Sequence, residues 1–286
     1  MKIPNRLKPL LDDGLIDEVL FPLMSGKEAA VFVVRVGDQR RCAKVYKEAS
    51  KRSFKQAAQY QEGRTVRNSR RARAMAKATR YGQKEQESAW LNAEVDALYK
   101  LADAGVRVPK PFWFVDGVLL MEMIADEHGD PAPRLDELAF EPEDARHFHD
   151  VMMREIVRML SIGLIHGDLS EFNVLFDADG PVIIDLPQAV NAAANNSAQM
   201  MLARDVNNMR AYFGQYDPTL LTTHYAEEIW DIYQRGELHA DTALTGAFAH
   251  SDVAADIATM LQIIEHAKEE EEDRREREQL ARDGEF

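Results

Sequence analysis

Residues 165–185 restrict the possible folds of this chain more than any other segment. Their sequence, IHGDLSEFNVLFDADGPVIID, has two short apolar runs on either side of DADG, which predicts a β-hairpin with its turn at 177–180. Asn173 begins the first run and Asp185 ends the second, so antiparallel pairing would place both side chains at the same end of the hairpin. Asp168 lies in the segment that leads into it. Two carboxylates and a carboxamide are therefore predicted to converge.

These three side chains offer oxygen atoms, the ligands that Mg²⁺ prefers, and they leave coordination places open for phosphate. Aspartate and asparagine also occur in ordinary turns, where they bond to the backbone. Other segments of the chain provide the evidence that distinguishes a metal site from an ordinary turn.

Two charged residues earlier in the chain, Lys44 and Glu94, are predicted to form an ion pair. Residues 15–46 alternate short apolar runs with turns, which predicts three antiparallel strands, and Lys44 falls in the third. Glu94 shares the apolar face of a predicted helix with Leu91 and Leu98. A carboxylate on such a face needs a cationic partner. Lys44 and Glu94 are therefore predicted to pair.

Phosphoryl transfer needs a cation on the nucleotide phosphates, a group that fixes this cation, and a loop of small residues over the phosphates. Lys44 and Glu94 supply the first two. Residues 24–32, MSGKEAAVF, supply the third through backbone N–H groups, with Lys27 as an added positive charge. Each part is weak evidence alone, but their order along the chain is specific.

The remaining segments give the predicted organisation. Two strands are predicted around the Asp116-Gly117 turn, with the second ending at 121–124, and a helix at 143–162 is predicted to end at Gly163. Residues 198–267 follow a mostly helical pattern. We accordingly expect an N-lobe at 1–124 with a basic insertion at about 47–84, a C-lobe at 125–267, and a charged tail at 268–286.

The composition favours a soluble, cytoplasmic protein. Lys and Arg total 35 against 49 Asp and Glu, a formal net charge of −14, which disfavours general binding to nucleic acid or to an anionic membrane. No segment approaches the roughly 18 apolar residues of a spanning helix, and the N-terminus does not have the pattern of a signal peptide. The single cysteine, Cys42, excludes an internal disulfide and fits a reducing compartment. We therefore expect no membrane partner.

The basic segment at 47–84 differs from the rest of the chain in charge. Its lysines and arginines far outnumber its two glutamates, Glu48 and Glu62. It is either a solvated helical face or a surface for RNA or a ribosomal precursor, bound through phosphate contacts. The sequence leaves both interpretations open.

The stretches SGKEA, AKVYK, HGDLSEFN and IDLPQ, in this order, resemble those of the RIO family of atypical serine/threonine protein kinases, most closely its RIO1-type branch. The resemblance covers roughly residues 10–235. The long interval between Lys44 and Glu94 adds to it, since this family has an insertion there that most protein kinases lack. The resemblance implies an α+β, two-lobed protein-kinase-like fold with a β-rich N-lobe and a mainly helical C-lobe.

The resemblance also implies roles for individual residues. Asp168 would be the catalytic base that deprotonates an acceptor hydroxyl, while Asn173 and Asp185 would bind Mg²⁺, or Mn²⁺ in its place. Asp185 would also accept phosphate itself during ATP turnover. The implied catalytic residues are Asp168, Lys44, Glu94 and Asp185. The implied ATP-binding residues are Ser25, Gly26, Lys27 and Val31 over the nucleotide, Lys44 on the α- and β-phosphates, and Met121, Glu122 and Ile124 in the hinge that meets adenine.

Three departures from most protein kinases bear on regulation. Gly167 stands where most have an arginine before the catalytic aspartate, DLP replaces Asp-Phe-Gly, and no Ala-Pro-Glu-like motif follows. The last two are typical of the RIO family. Together they imply that phosphorylation of an activation loop does not switch this chain.

The resemblance implies transfer of the γ-phosphate of ATP to serine in a protein substrate, including autophosphorylation, or ATP hydrolysis as a switch, with a role in ribosome maturation. Two alternatives stay open. A small-molecule phosphotransferase of the aminoglycoside or choline kinase type also has HGD with an asparagine five residues after the aspartate. An RNA-binding or ribosome-binding assembly factor would use ATP only for release.

Overall fold

The computed structural model describes residues 3–26, 29–47 and 80–248, and of residues 80–91 it describes the helical backbone. The first lobe is a five-stranded antiparallel sheet with the strand order β1-β2-β3-β5-β4. Its strands are β1 (Glu18–Ser25), β2 (Ala29–Val36), β3 (Gln39–Tyr46), β4 (Pro111–Val115) and β5 (Val118–Glu122). The three strands predicted between residues 15 and 46 are confirmed as β1, β2 and β3.

Asp116 and Gly117 join β4 to β5 with φ angles of +49° and +74°. Left-handed conformations at both central residues are those of a type I′ turn, whose twist matches that of paired strands. The predicted strand pair is confirmed. The second strand ends at Glu122. Beyond it the chain leaves the sheet, and the Ile124 carbonyl accepts the N–H of Ala132 at 3.0 Å.

Apolar side chains cover both faces of this sheet. On one face, Leu10 of the short helix α1 (Lys8–Asp12) packs in a buried cluster with residues of β2, β3 and β5. On the other face, Leu98 and Leu101 of α2 (Arg80–Asp103) belong to the larger core, which continues into the second lobe. The helix that contains Glu94 therefore lies against the sheet face to which Lys44 belongs.

The second lobe is mainly helical. Its described helices are α3 (Pro142–Ser161), α4 (Ala198–Phe213) and α5 (Tyr225–Gln234), and its short strands are β6 (Leu164–Ile165), β7 (Val174–Asp177), β8 (Gly180–Ile183) and β9 (Val190–Asn191). The predicted helix at 143–162 is α3. Gly163 follows it with a φ of +77° and donates its N–H to the Leu160 carbonyl at 2.8 Å, which satisfies an end carbonyl of the helix.

The helical pattern predicted for 198–267 is wrong for residues 235–248. Gly236, with a φ of +73°, ends α5, and turns and irregular backbone follow it. This segment is fixed to α5 because the buried Glu228 carboxylate accepts the N–H groups of Thr245 and Gly246, each at 2.8 Å. Residues 249–267, the charged tail and residues 48–79 of the basic segment lie outside the described residues.

The α+β class with a β-rich first lobe and a mainly helical second lobe is confirmed. The lobe boundary at 124 and the tail boundary at 267 stay predictions. Among the described helices, none combines the length and the apolar character needed to cross a bilayer.

Candidate active site

The hairpin predicted from residues 165–185 is present. Val174 pairs with Ile183 and Asp177 pairs with Gly180 across β7 and β8. The Asn173 carbonyl then accepts the N–H of Ile184 at 3.0 Å. This register places Asn173 and Asp185 at the same end of the hairpin.

Asp185 has an unusual backbone conformation. Its φ is +65°, a left-handed value that few residues other than glycine adopt, and such values often occur at functional sites. The turn directs its carboxylate at Lys44, whose Nζ lies 2.9 Å from Oδ1, and leaves the side chain 47% exposed. Burial is the largest single effect and opposes ionisation here, but the charge and hydrogen bond of Lys44, together with weaker nearby positive charges, lower the pKa of Asp185. The carboxylate is therefore ionised and accessible.

Lys44 forms the predicted pair with Glu94, at 2.6 Å between Nζ and Oε1. The Glu94 side chain is only 5% exposed, so this carboxylate has the cationic partner that its buried position requires. Burial lowers the pKa of the Lys44 ammonium, but Asp185 and Glu94 together raise it well above its ordinary value. Lys44 is thus a fixed, charged ammonium between two carboxylates.

Asp168 is exposed, and its main chain is fixed on both sides. Its carbonyl accepts Nδ2 of Asn173 at 2.8 Å, and its N–H donates to Nδ1 of His166 at 3.3 Å. Nε2 of His166 lies 3.0 Å from the Ile184 carbonyl, so the neutral ring with its proton on Nε2 satisfies both contacts. Burial lowers the pKa of His166, which favours this neutral form. His166 therefore links the Asp168 loop to the backbone between the end of β8 and Asp185.

Three residues of α4 support the same loop, and the sequence analysis missed them. Asp205 accepts the N–H groups of Gly167 and Leu169 at 2.8 and 2.9 Å. Asn208 donates to the Leu169 carbonyl at 2.8 Å, and Arg204 donates to the Gly167 carbonyl. Asp205 is only 1% exposed and lies on the apolar stripe of its helix. Like Glu94, Asp205 is a carboxylate on an apolar helix face, and this pattern is visible in the sequence.

The buried position of Asp205 predicts a pH effect. Burial raises the pKa of its carboxyl to about 7 from the ordinary 3.8, although the N–H groups of Leu169 and Gly167 oppose the shift. Because the folded protein holds the Asp205 proton more tightly than the unfolded chain, protonation of Asp205 stabilises the fold. This stabilisation is complete below the ordinary pKa of 3.8 and is lost as the pH rises through about 7. We expect the free energy of unfolding of the wild type, relative to Asp205→Asn, to fall across that window and then become constant.

Urea unfolding of both proteins at several pH values measures this difference. Asparagine has nearly the same volume but does not titrate, so the comparison isolates the Asp205 carboxyl. A difference that grows as the pH rises would show that the two N–H groups outweigh burial and keep the carboxyl ionised.

The predicted glycine loop is only partly described, because Lys27 lies outside the described residues. Ser25 ends β1, and the N–H of Gly26 donates to the Ala29 carbonyl at 2.9 Å. Lys47 donates through Nζ to the Gly26 carbonyl. Val31 is buried and pairs with Lys44 across β2 and β3. The loop thus begins and ends beside the strand that positions Lys44.

The predicted hinge residues lie at the end of β5 and just after it. Met121 pairs with Cys42, which is two residues from Lys44 on the same face of β3. Glu122 bonds to Lys110 through its N–H at 2.8 Å and its carboxylate at 3.1 Å. Ile124 is buried with Val182 of β8. The hinge is therefore packed directly against the hairpin that ends at Asp185.

Arg107, in the loop after α2, joins that helix to the hairpin. Its N–H donates to Oε2 of the buried Glu155 at 2.9 Å, and its carbonyl accepts the N–H of Ile183 at 2.8 Å. Its guanidinium contacts both carboxylate oxygens of Asp177, at 2.8 and 2.6 Å. The sequence did not indicate this residue, because its partners are 48 and 70 positions away. Arg107 connects the Glu94 helix to the Asp185 hairpin.

Arg107→Ala is expected to lower the free energy of unfolding by about 1–3 kcal/mol, since it leaves the half-buried Asp177 carboxylate without its cation. Urea unfolding checks this. Arg235→Ala is the matched control, because Arg235 pairs with Asp231 and Glu237 but is 52% exposed. An exposed pair of this kind contributes about 0–1 kcal/mol. Equal losses in the two variants would contradict the anchoring role of Arg107.

The residues fit a magnesium ion that enters with its nucleotide. Within the described residues, no cluster of three His, Cys, Asp or Glu side chains could bind a metal by itself. Mg²⁺ typically takes one or two carboxylates and completes its shell with substrate phosphates and water. Asn173 donates through Nδ2 to the Asp168 carbonyl, so its Oδ1 points away from that contact, and Asp185 is exposed. These two side chains are the candidate ligands.

Comparisons with known proteins agree with this geometry. A family model described as the RIO domain matches residues 30–226. The chain is 35% identical over 206 residues to a RIO-type serine/threonine-protein kinase Rio1 of Haloferax volcanii, a match that covers 71% of this chain and 66% of the relative. It is 30% identical over 205 residues to a protein of the same description from Methanocaldococcus jannaschii, covering 71% and 66%.

A third relative is a serine/threonine-protein kinase rio1 of Schizosaccharomyces pombe, 29% identical over 213 residues that cover 72% of this chain and 40% of the relative. The chain therefore spans 66% or less of the length of these relatives. The RIO domain match includes more than half of the chain and all five residues of the site: Lys44, Glu94, Asp168, Asn173 and Asp185. These matches, together with the two-lobed α+β structure, show that the chain belongs to the RIO family and has its protein-kinase-like fold.

Proposed function

We propose that this chain is an atypical serine/threonine protein kinase that binds ATP with Mg²⁺ in the cleft between its lobes. One observation supports this most strongly. The exposed Asp168 is fixed by Asn173, and the same hairpin directs Asp185 at the Lys44–Glu94 pair. A general base, two oxygen ligands for a metal and a phosphate-binding cation thus lie together, as phosphoryl transfer requires.

The residues of the site have distinct roles in the proposed reaction. Lys44 binds the α- and β-phosphates, and Glu94 keeps its ammonium in place. Asn173 and Asp185 would bind Mg²⁺, or Mn²⁺, which neutralises charge on the phosphates when it is bound. Ser25, Gly26, Lys27 and Val31 cover the nucleotide, and Met121, Glu122 and Ile124 meet adenine.

Asp168 accepts the proton of a serine hydroxyl while the serine oxygen bonds to the γ-phosphorus. The bond from the γ-phosphorus to the bridging oxygen breaks, and ADP leaves with that electron pair. The products are ADP and phosphoserine. When water takes the place of serine, the same cleft hydrolyses ATP. Alternatively, an oxygen of the Asp185 carboxylate bonds to the γ-phosphorus and ADP leaves, and water then cleaves this acyl phosphate to release phosphate and restore the carboxylate.

A protein substrate fits the proposal better than a small-molecule acceptor. The three relatives described above are named serine/threonine-protein kinases. In the described part of the chain, only a short 3-10 helix (Pro218–Thr222), α5 and the irregular segment to residue 248 follow α4, so little chain there is available to form an acceptor pocket. We include a ribosomal precursor as a partner, bound through the basic segment at 47–84. The positive charge of this segment is the only support for it.

Incubation with γ-labelled ATP and Mg²⁺ tests the proposal, with free phosphate and protein-bound label followed together. Stable label on serine supports a protein kinase. Label that hydroxylamine removes, with steady phosphate release, supports an ATPase that phosphorylates Asp185. Absence of both label and free phosphate would contradict the proposed function.

A further inference from the structure

Arg134 extends across the cleft between the lobes. Its backbone forms a β-bridge with Leu175 of β7, in the hairpin that ends at Asp185. Its guanidinium donates through Nη2 to Sδ of Met24 on β1, at 3.0 Å. Met24 directly precedes Ser25 and the glycine loop. The guanidinium therefore lies between the metal-binding hairpin and the strand that leads into the loop.

The backbone beneath this side chain is firmly fixed. The N–H of Arg134 donates to Oε2 of Glu137 at 3.1 Å, and the N–H of Phe176 donates to the Pro133 carbonyl at 2.9 Å. The next residue, Leu135, is fully buried, and its carbonyl accepts the hydroxyl of Tyr212. The Arg134 side chain can therefore change its hydrogen-bond partner while its backbone stays in place.

The contact with Met24 is a weak one for an arginine. A thioether sulfur is a poor acceptor, whereas a guanidinium has five N–H donors arranged to match the oxygens of a carboxylate or phosphate. Met24 is also 44% exposed, so the contact is open to solvent. Arg134 has donor capacity that Met24 does not use.

The charges in the cleft favour a second cation for the nucleotide. Lys44 already lies 2.6 Å from Glu94 and 2.9 Å from Asp185, so its single charge is shared between two carboxylates. The phosphate chain of ATP with one Mg²⁺ still has a net negative charge.

We propose that Arg134 is a phosphate-binding residue of the nucleotide site. Its guanidinium exchanges Sδ of Met24 for oxygens of the ATP phosphate chain and so closes the cleft from the second lobe. The inference rests on the proposed function, because it takes the cleft to be an ATP site. It adds a nucleotide ligand outside the glycine loop, β3 and the hinge.

Calorimetric titration with ATP, ADP and adenosine in the presence of Mg²⁺ tests this on the wild type, Arg134→Ala and Arg134→Lys. A charge-assisted bond to phosphate predicts that Arg134→Ala weakens ATP and ADP binding by about 10- to 100-fold. The affinity for adenosine, which has no phosphate, is expected to stay the same. Arg134→Lys should recover part of the loss, since it keeps the charge but not the forked donors.

Arg40→Ala is the matched control. Arg40 also links the sheet to the segment after β5, through the Gly129 carbonyl at 3.2 Å, and its removal is expected to leave all three affinities unchanged. If Arg134→Ala weakens adenosine and ATP equally, Arg134 is a structural support and the inference fails. Unchanged ATP binding in Arg134→Ala would also overturn it. Absence of ATP binding by the wild type would instead overturn the proposed function, and this inference with it.

Discussion

Asp168→Asn is expected to slow phosphate transfer by about 10²- to 10⁴-fold, the usual contribution of a general base, and to leave the affinity for ATP nearly unchanged. Asparagine has the same shape but cannot accept the proton of the attacking hydroxyl. The Asp168 carbonyl would still accept Nδ2 of Asn173, because that bond uses the backbone. Transfer of label from γ-labelled ATP gives the rate, and calorimetry gives the affinity.

Asp179→Asn is the matched control for this change. Asp179 is an exposed aspartate in the turn of the same hairpin, and its N–H donates to Oδ1 of Asp177. Its side chain has no role in the proposed reaction, so both rate and affinity should match the wild type. Wild-type transfer by Asp168→Asn would remove Asp168 from the mechanism.

Asp185→Ala is expected to abolish the part of ATP affinity that depends on Mg²⁺. Loss of a group that merely orients a metal ligand typically costs roughly 10- to 100-fold in metal affinity, so loss of the ligand itself should cost at least as much. The variant also removes one of the two carboxylates that contact Lys44, at 2.9 Å. Titration of ATP with and without Mg²⁺ should then give the same affinity.

The backbone of Asp185 requires a second variant. Its φ of +65° is poorly tolerated by alanine, whereas asparagine adopts such values more readily. Asp185→Asn should therefore fold like the wild type, and its uncharged carbonyl oxygen should restore only part of the response to Mg²⁺. A full Mg²⁺ response in both variants would show that Asp185 is not a metal ligand.

The sequence predicted the parts of the site that depend on local patterns. The DADG turn between two apolar runs determined the register that brings Asn173 and Asp185 together. Glu94 on an apolar helix face implied a cation, and Lys44 is that cation. In each case a short pattern and one rule of pairing were enough.

The residues that the sequence analysis missed depend on contacts between distant segments. Arg107 pairs with Asp177 across 70 positions, and Arg134 contacts Met24 across 110. An arginine in a loop has no periodic pattern that could single it out. The sequence predicts helix after Gln234, but there the Glu228 carboxylate accepts the N–H groups of Thr245 and Gly246 in irregular backbone, a contact that no local pattern shows.

A crystal structure of the protein with a non-hydrolysable ATP analogue and Mn²⁺ would locate the metal by its anomalous signal. We expect one metal peak in contact with the Asp185 carboxylate, Oδ1 of Asn173 and the phosphates of the analogue, with Lys44 on the α- and β-phosphates and Asp168 facing the γ-phosphate. A metal or a nucleotide bound away from the Asn173–Asp185 end of the hairpin would contradict the proposed site.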